Sequence, residues 1–401
     1  MKTICENLYG ERNSYYHRWY HPTPMMITSE RASELERMWQ LLYRCIVFLG
    51  KEYREFVPRY MPLNEKEMAI LDYQSRYSYK AGALRPDYLV REDGQLLLVE
   101  NTCRFFGHGI WTSYPAQAFT EYFMQDFPNE VWDNDGYYQQ LEAFRQTVPD
   151  GKKIVVLKSS DRTVEIPLYK AFYEHFGHEV IVLESDEVEK NRELWSHDAV
   201  IFCALNQTDL MSYSMDTLRA LVDAGMKNDF RTILLAHDKR MFGLIFEDDF
   251  TCRCLTDKET EFLREHTIRP FIYNNSTREI WEDAKRHKDE YILKDYRLGK
   301  SVGVYAGVMT SEEEWQSLFT EENLNSMLLQ HFVHQRTYHH VWEGTPFDDY
   351  VCGELHNLDE KYLGHGFYRA SSAPVTNKTD NRRMAFLVSD SERLKRVCNV
   401  L

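Results

Sequence analysis

Apolar residues recur at helical spacing near the start of the chain. Over residues 29–53 the apolar side of a 3.6-residue period is formed by Leu35, Met38, Leu41, Leu42 and Cys45. Ser29, with its short polar side chain, suits the N-cap of this helix. A second stretch over 64–75 has a similar pattern. We therefore predict a helical region over residues 1–80.

Continuous apolar runs replace this pattern after residue 149. The runs at 153–158, 179–183, 199–205 and 232–236 have the length and composition of strands that are buried on both faces. Amphipathic stretches lie between them. This alternation predicts a small parallel α/β sheet over 149–237. No G-x-G-x-x-G follows its first strand, so we expect a scaffold rather than a dinucleotide site.

Between these regions lies a hairpin signal. Asp93-Gly94 separates two apolar runs over 85–100, which is typical of a two-residue turn. With that turn as the loop, Glu92 faces Gln95 and Asp87 lies directly across from Glu100. Facing side chains in such a pair are roughly 5 Å apart at Cβ. The hairpin thus brings two carboxylates together on one face of a sheet.

Two carboxylates this close repel one another unless a cation lies between them. Oxygen ligands with room for water and phosphate favour magnesium over zinc. Arg85 shares the face of Asp87 because side chains two residues apart in a strand point the same way. We therefore expect a magnesium site on this hairpin, with Arg85 beside a phosphoryl group.

A glycine-containing turn follows a later strand. Lys294 ends that strand, and Gly299, Ser301 and Gly303 follow it. Glycines let backbone N–H groups approach a polyphosphate, and a lysine can bind its oxygens. The order of a Walker A loop is absent. Lys239, after the α/β unit, is a second candidate cation.

Composition narrows the function classes. The 401 residues include 43% hydrophobic and 14% aromatic positions, enough for two or three packed units, and the net charge is −15. This charge disfavours nucleic acid and anionic membranes as partners. Eight scattered cysteines suit reduced thiols rather than a disulfide framework. No signal peptide or apolar span of about 20 residues is evident, so we expect a cytoplasmic protein.

These motifs together resemble the ATP-grasp superfamily over roughly residues 80–390. Leu293-Lys294 with 299–304 resembles its lysine strand and phosphate-covering loop, and 328–333 resembles its hinge. Arg85, Asp87 and Glu100 resemble its R-x-D…E metal hairpin. Here the metal hairpin precedes the α/β sheet and the lysine loop. That order is similar to the circularly permuted ATP-grasp ligases, which include glutathionylspermidine synthetase-like enzymes.

The resemblance implies an α/β (α+β) ATP-grasp fold in four parts. These are a helical region at 1–80, the metal-binding portion at 81–148, a small parallel α/β domain at 149–237, and a portion at 238–401 with the lysine loop and hinge. It also implies ATP and Mg²⁺ as cofactors. A small-molecule carboxylate, such as an amino acid or short peptide, would become an acyl phosphate that an amine captures, forming an amide or peptide bond with release of ADP and phosphate.

Residue roles follow from the same resemblance. Arg85 would stabilise the transferring phosphoryl group, and the metal ligands would be Asp87, Glu100 and Asn101. Lys239 and Lys294 would hold the α- and β-phosphates. The covering loop would be Gly299, Lys300, Ser301, Val302 and Gly303, and the adenine contacts Gln330, His331, Phe332 and Val333. Arg104 and Arg369 would bind the substrate carboxylate.

One departure and two alternatives remain. The family has Glu-x-Asn, whereas this chain has Glu100-Asn101-Thr102, so Asn101 would need a bulge to share the face of Glu100. This departure supports a nucleotide-binding protein without ligase turnover as an alternative. A glycosyltransferase-like enzyme, based on the unit at 152–237, is a second alternative. The sequence specifies neither the carboxylate nor the amine.

Overall fold

The structure is a computed structural model of the chain, with mixed helices and sheets. It describes residues 3, 5, 20–103, 105–107, 109–128, 130, 136–160, 165–299, 301–342, 344–376, 378 and 382–401. Within them, no helix combines the length and the apolar character that crossing a membrane requires.

The described α-helices all lie within the first 330 residues. In chain order they are α1 Ser29–Tyr60, α2 Glu65–Gln74, α3 Tyr114–Phe123, α4 Gly136–Arg145, α5 Glu165–His175, α6 Arg192–Trp195, α7 Gln207–Ser212, α8 Met215–Asp223, α9 Met241–Leu244, α10 Asp248–Thr251, α11 Asp257–Glu265, α12 Arg278–Arg286, α13 Glu312–Ser317 and α14 Glu321–Ser326.

The strands are distributed along the whole chain. They are β1 Met25–Ile27, β2 Ala83–Val90, β3 Leu96–Thr102, β4 Lys153–Lys158, β5 Val180–Glu184, β6 Ala199–Ala204, β7 Pro270–Ile272, β8 Tyr291–Asp295, β9 Val304–Ala306, β10 Met327–His331, β11 Thr337–Trp342, β12 Thr345–Leu358, β13 Lys361–His365, β14 Tyr368–Ser371, β15 Arg382–Met384, β16 Phe386–Val388 and β17 Asn399–Val400.

Four sheets organise the described residues. The largest has the order β15-β14-β12-β2-β3, with β11 and β13 also paired to β12. A four-stranded sheet has the order β7-β10-β8-β9, and three-stranded sheets have the orders β5-β4-β6 and β16-β1-β17. The β5-β4-β6 sheet is parallel, as its buried apolar runs predict.

The predicted metal hairpin, β2–β3, is part of the largest sheet. Strand β2 pairs with β12, far along the chain, so that Asp87 lies opposite Glu354. Residues from the predicted 81–148 and 238–401 portions therefore share one sheet. The domain boundaries themselves stay predictions.

Two local predictions were wrong. The run Thr232–Ala236 is a fully buried π-helix rather than a fourth parallel strand, because a short buried apolar run has no period that separates strand from helix. The N-cap of α1 is Thr28, whose side chain accepts a hydrogen bond from the Arg31 backbone N–H. Ser29 instead donates from its hydroxyl to Asp390, 2.6 Å away.

Candidate active site

The β2–β3 turn contains one residue more than the sequence suggested. The Arg91 N–H donates to the Gln95 carbonyl at 2.9 Å, so the loop is 92–94, with Gly94 at a φ of +90°. Glycine adopts this positive φ without steric strain, so Gly94 suits a three-residue loop as well as the predicted two-residue Asp93-Gly94 turn. The two-residue loop was therefore wrong, and near the turn the register is shifted by one, with Leu89 opposite Leu97.

A β-bulge restores the predicted register farther from the turn. Tyr88 pairs with Leu98 and Asp87 with Glu100, so Val99 is the extra residue on β3. The predicted pairing of Asp87 with Glu100 is confirmed. It results from a longer loop and a bulge whose effects on register cancel.

Ionisable side chains line one face of the central strands. Glu100, Asp87 and Glu354 lie side by side across β3, β2 and β12. Asp87 is fully buried, and Arg85 donates to it from Nε at 3.0 Å and from a terminal nitrogen at 3.2 Å. Arg369, on β14, also donates to Asp87. Asp87 is therefore held between two guanidinium groups.

The three carboxylates differ in their ionisation. Burial raises the pKa of Asp87 above its ordinary value, and Glu100 and Glu354 add to the rise against the pull of Arg369 and Arg85. Burial also opposes the ionisation of Glu100, but Lys239 and Lys294 outweigh it and lower its pKa to about 2. Burial opposes the ionisation of Glu354 too, but Arg85 and His356 lower its pKa to about 2, so both outer carboxylates of the row are held as anions.

A cleft opens beside this face. Most of the predicted site residues line it. From the sequence-based set they are Glu100, Lys294, Gly299, Ser301, Gln330, His331, Phe332, Val333 and Arg369. The structure therefore brings the lysine strand, the glycine-containing turn, the predicted hinge and the metal hairpin to one cavity.

Two lysines lie close to Glu100. Lys294 is buried, and burial lowers its pKa to about 8, against the attraction of Glu100. Lys239, also buried, has its Nζ 3.7 Å from Glu100 Oε2 and donates to the Leu298 carbonyl. Lys239 thereby connects the metal hairpin with the glycine-containing turn.

The glycine-containing turn is organised by Asp295. Its carboxylate accepts from the backbone N–H groups of Arg297 at 2.8 Å and Leu298 at 2.9 Å. Ser301 and Gly303 have φ values of +59° and +67°. A Cβ on Gly303 would lie 2.8 Å from the Cβ of Asp295, so glycine is required there. Val302 is 58% exposed, and Lys300 lies outside the described residues.

The predicted hinge offers an oriented amide. Gln330 donates from Nε2 to the Ile268 carbonyl at 3.1 Å. Its Oε1, the acceptor of the same amide, therefore points away from Ile268. This Oε1 is buried and makes no hydrogen bond within the described part of the chain. Such an acceptor matches a ligand with an exocyclic amine.

Asn101 does not share the face of Glu100. It pairs with Pro86, and its Nδ2 donates to the Ala236 carbonyl at 3.1 Å. The bulge at Val99 precedes Glu100 and leaves the Glu100-Asn101-Thr102 alternation regular, so it does not re-aim Asn101. Thr102 takes the position beside Arg85, which donates to its Oγ1 at 3.3 Å. Arg104, a predicted substrate ligand, lies outside the described residues.

The fit to magnesium differs among the predicted ligands. Glu100 lines the cleft as an anion, next to two lysines that suit phosphate oxygens. Asp87 retains only the lone pairs that Arg85 and Arg369 leave unused. The donor set of carboxylates beside a phosphate-binding cleft fits magnesium, which takes one or two carboxylates together with phosphates.

Sequence reasoning missed the contribution of β12. Cys352, Glu354 and His356 alternate along this strand, and Glu354 Oε2 lies 3.3 Å from Arg85 Nε. The signal was present as ionisable residues at every second position of a strand that is otherwise buried. What the sequence alone did not reveal was that this strand pairs with β2.

Comparisons with known proteins support the ATP-grasp resemblance of this chain. Residues 48–235 match the family model described as the AnkG N-terminal domain. The chain is 22% identical to the ATP-grasp enzyme ankG of Aspergillus thermomutatus over an alignment of 442 positions, with 92% of this chain and 88% of that protein covered.

A solved structure supports the same fold. The chain is similar to the apo form of a glutathione synthetase-like effector from Globodera pallida, with a TM-score of 0.54 and 13% sequence identity. The likeness covers 91% of this chain and 89% of the other. These likenesses support the glutathionylspermidine synthetase-like ATP-grasp family that the motifs predicted.

Proposed function

We propose that the protein is an ATP-dependent ligase that joins a carboxylate to an amine through an acyl phosphate and releases ADP and phosphate. The observation that carries this proposal is the common cleft of Glu100, Lys294, Arg369 and Gln330. Gln330 offers a hydrogen-bond acceptor for a nucleotide base. Lys294 and Arg369 are cations for phosphates, and Glu100 is an anion for a metal ion. The element order, with the metal hairpin first, supports a circularly permuted arrangement.

In this proposal, different residues of the site bind adenine, the phosphates and magnesium. Gln330 Oε1 accepts the exocyclic amine of adenine, and Lys294 and Lys239 hold the α- and β-phosphates. The turn over 299–303 covers the phosphates with backbone N–H groups. Glu100 and Asp87 would hold magnesium, which when bound neutralises charge on the phosphate oxygens.

The arginines act at the transferring group. Arg369 lines the cleft, and its Nε is a buried donor without a hydrogen-bond partner in the described part of the chain. That donor suits an anionic oxygen of the substrate carboxylate or of the acyl phosphate. Arg85 holds Asp87 and reaches toward the same junction from the other side. Fixed cations of this kind stabilise the charge that develops during phosphoryl transfer.

Nucleotide binding without ligation is the second candidate. It is favoured by the orientation of Asn101 toward Ala236 and by the pairing of Asp87 with two arginines. Both features reduce the oxygen ligands available to a metal. This candidate predicts ATP binding with no ADP release that depends on added substrates.

A substrate screen distinguishes the two candidates. ADP release would be measured with MgATP, each of the 20 amino acids and short peptides as carboxylate, and amino acids or simple diamines as amine. The ligase proposal predicts that at least one pair stimulates ADP release well above the Lys294→Ala variant. Release at the level of that variant for every pair, while the wild type binds ATP, would favour the second candidate.

A further inference from the structure

Two cysteines from distant parts of the chain are in contact beside α1. Cys45 lies on α1, and Cys254 lies in the turn between α10 and α11. Their Sγ atoms are 3.9 Å apart, within the range of a hydrogen bond between two thiols. Cys45 is fully buried, whereas Cys254 is partly exposed. The fold thus brings a protected sulfur and a more accessible one together.

Arg44 holds the two segments against each other. It precedes Cys45 on α1, and one of its terminal nitrogens donates to the Cys254 carbonyl at 2.6 Å. Its other terminal nitrogen donates to Glu259 of α11 at 2.6 Å. The Cys254 N–H in turn donates to the Thr251 carbonyl at 3.0 Å. These bonds fix the backbone that bears Cys254 against α1, so the sulfur contact does not depend on side-chain packing alone.

The two thiols differ in their ionisation. The hydrogen bond with Cys45 lowers the pKa of the Cys254 thiol, and Arg44 and Arg253 add to this effect against burial. The same hydrogen bond, together with burial, raises the pKa of Cys45 well above its ordinary value. The thiolate, rather than the thiol, is the nucleophile in disulfide exchange. Cys254 is therefore the sulfur that reacts first.

Reaction at Cys254 changes the state of Cys45. The hydrogen bond with Cys254 is the largest cause of the raised pKa of Cys45. Once Cys254 carries a disulfide, it no longer has the negative charge that disfavours a second thiolate beside it. Cys45 then loses its proton more easily, next to the sulfur that it attacks. The arrangement therefore favours closure of the pair over a persistent adduct on Cys254.

Closure of the pair requires a small movement. The sulfurs of a disulfide are about 2.05 Å apart, so the two Sγ atoms must approach by roughly 2 Å. A change of χ1 moves a sulfur without moving the backbone. Where thiols are kept reduced, disulfides are mostly transient and redox-sensing. Two free thiols in contact, one of them partly exposed, suit this kind of reversible oxidation.

We propose that Cys45 and Cys254 are a redox-active pair, which a low-molecular-weight disulfide oxidises to an intrachain disulfide. The inference does not depend on the proposed ligase function. The Cys254 thiolate attacks one sulfur of the small disulfide, so a mixed disulfide forms and one small thiolate leaves with the electron pair. Cys45 then attacks the Cys254 sulfur, and the second small thiolate leaves. The protein thiols lose two electrons and two protons, which end on the two small thiols.

Oxidation by glutathione disulfide tests the pair. The whole chain would be incubated with this reagent, sampled over time, and blocked with an alkylating agent. Mass spectrometry of non-reduced digests would then show which cysteines are linked and which carry glutathione. Wild type would be compared with Cys45→Ala, Cys254→Ser and Cys252→Ser. Cys252 is the matched control, because it is exposed and its Sγ lies against the Asp249 carbonyl instead of a second thiol.

Each protein has its own expected outcome. We expect wild type to pass through a short-lived adduct on Cys254 and then to accumulate the linkage between Cys45 and Cys254. Cys45→Ala should keep the glutathione adduct on Cys254, and Cys254→Ser should form neither product. Cys252→Ser should form the linkage at the wild-type rate. The linked wild type should unfold at a higher temperature than the reduced protein, because the bond joins positions 209 residues apart.

Three results would overturn the inference. A persistent glutathione adduct on Cys254 of the wild type, without the linkage, would show that the pair does not close. Recovery of Cys45 and Cys254 as free thiols after exposure to excess glutathione disulfide would show that neither sulfur reacts. Loss of the linkage in Cys252→Ser would assign the first reaction to that exposed thiol. The first two results need no variant, so they decide the question even if a substitution unfolds the protein.

Discussion

Asp87 lies directly opposite Glu100 across the β2–β3 pair, although the strands near the turn are shifted by one residue. The bulge at Val99 absorbs that shift, so the two carboxylates lie on one face of the sheet and Glu100 lines the cleft. Their environments differ. Arg85 and Arg369 surround Asp87, whereas Lys239 and Lys294 act on Glu100. Glu100 is therefore the principal metal ligand in our account, and Asp87 organises the arginines.

Glu100→Gln should separate metal-dependent from metal-free nucleotide binding. The substitution removes an anion beside Lys239, so we expect metal-free ATP to bind at least as tightly as to wild type. The strengthening by magnesium should fall roughly ten-fold or more, because a ligand is lost. Calorimetric titration with ATP, with and without magnesium, measures both effects. Glu92→Gln, an exposed position on the same hairpin, should leave both unchanged.

Nucleotide affinity should fall as pH rises through about 8. Burial lowers the pKa of Lys294 to about 8, so the ammonium is present below that pH and is lost above it. With this pKa, roughly a tenth of the charge remains at pH 9, which predicts up to about ten-fold weaker ATP binding than at pH 7. In Lys294→Arg the guanidinium keeps its charge, and the affinity should stay nearly flat across this range.

Gln330 should contribute to the preference for adenine over guanine nucleotides. Its Nε2 is bound to the Ile268 carbonyl, so Oε1 presents an acceptor that suits the amine of adenine and repels the carbonyl of guanine. We expect Gln330→Leu to reduce the preference for ATP over GTP by roughly ten-fold, the size of one hydrogen bond. Competition binding with the two nucleotides measures this ratio. An unchanged ratio would contradict the assignment of 330–333 to adenine.

The close packing at Glu354 makes a stability prediction. In Gly366→Ala the new Cβ would lie 2.5 Å from Glu354 Cγ, so a neighbour must move. Overpacking of this kind costs about 1–3 kcal/mol of unfolding free energy, measurable by urea denaturation. Gly243→Ala is the matched control, because its Cβ would meet only Pro270 at 3.6 Å and alanine favours the helix. An unfolding free energy of Gly366→Ala equal to that of wild type would show that Glu354 can move aside without cost and would contradict the close packing.

The sequence carried the local chemistry of the site well. The predicted pairing of Asp87 with Glu100 was correct although the predicted turn was one residue short, because the bulge at Val99 offsets the longer loop, and the strand that contains Lys294 leads directly to the glycine-containing turn. These are relations between residues close in the chain, where strand period limits which side chains can share a face. The fold followed from the order of such motifs.

Contacts between segments that are far apart in the chain could not be predicted from the sequence in this way. Glu354 and Arg369 meet Asp87 only because β12 pairs with β2 and β14 pairs with β12. The buried run at 232–236 was assigned to a strand because it has no polar positions from which a period can be measured. Asn101, by contrast, follows from the local pattern, because the regular alternation of Glu100, Asn101 and Thr102 turns it away from the face of Glu100.

The central claim, ligation through an acyl phosphate, is tested most directly by oxygen transfer. The active carboxylate from the screen would be labelled with ¹⁸O in both oxygens, and the phosphate released with the amide product would be analysed by mass spectrometry. A carboxylate oxygen that attacks ATP stays with phosphorus when the amine displaces it, so the account predicts one ¹⁸O in each released phosphate. Unlabelled phosphate, formed while ADP release still depends on both substrates, would contradict it.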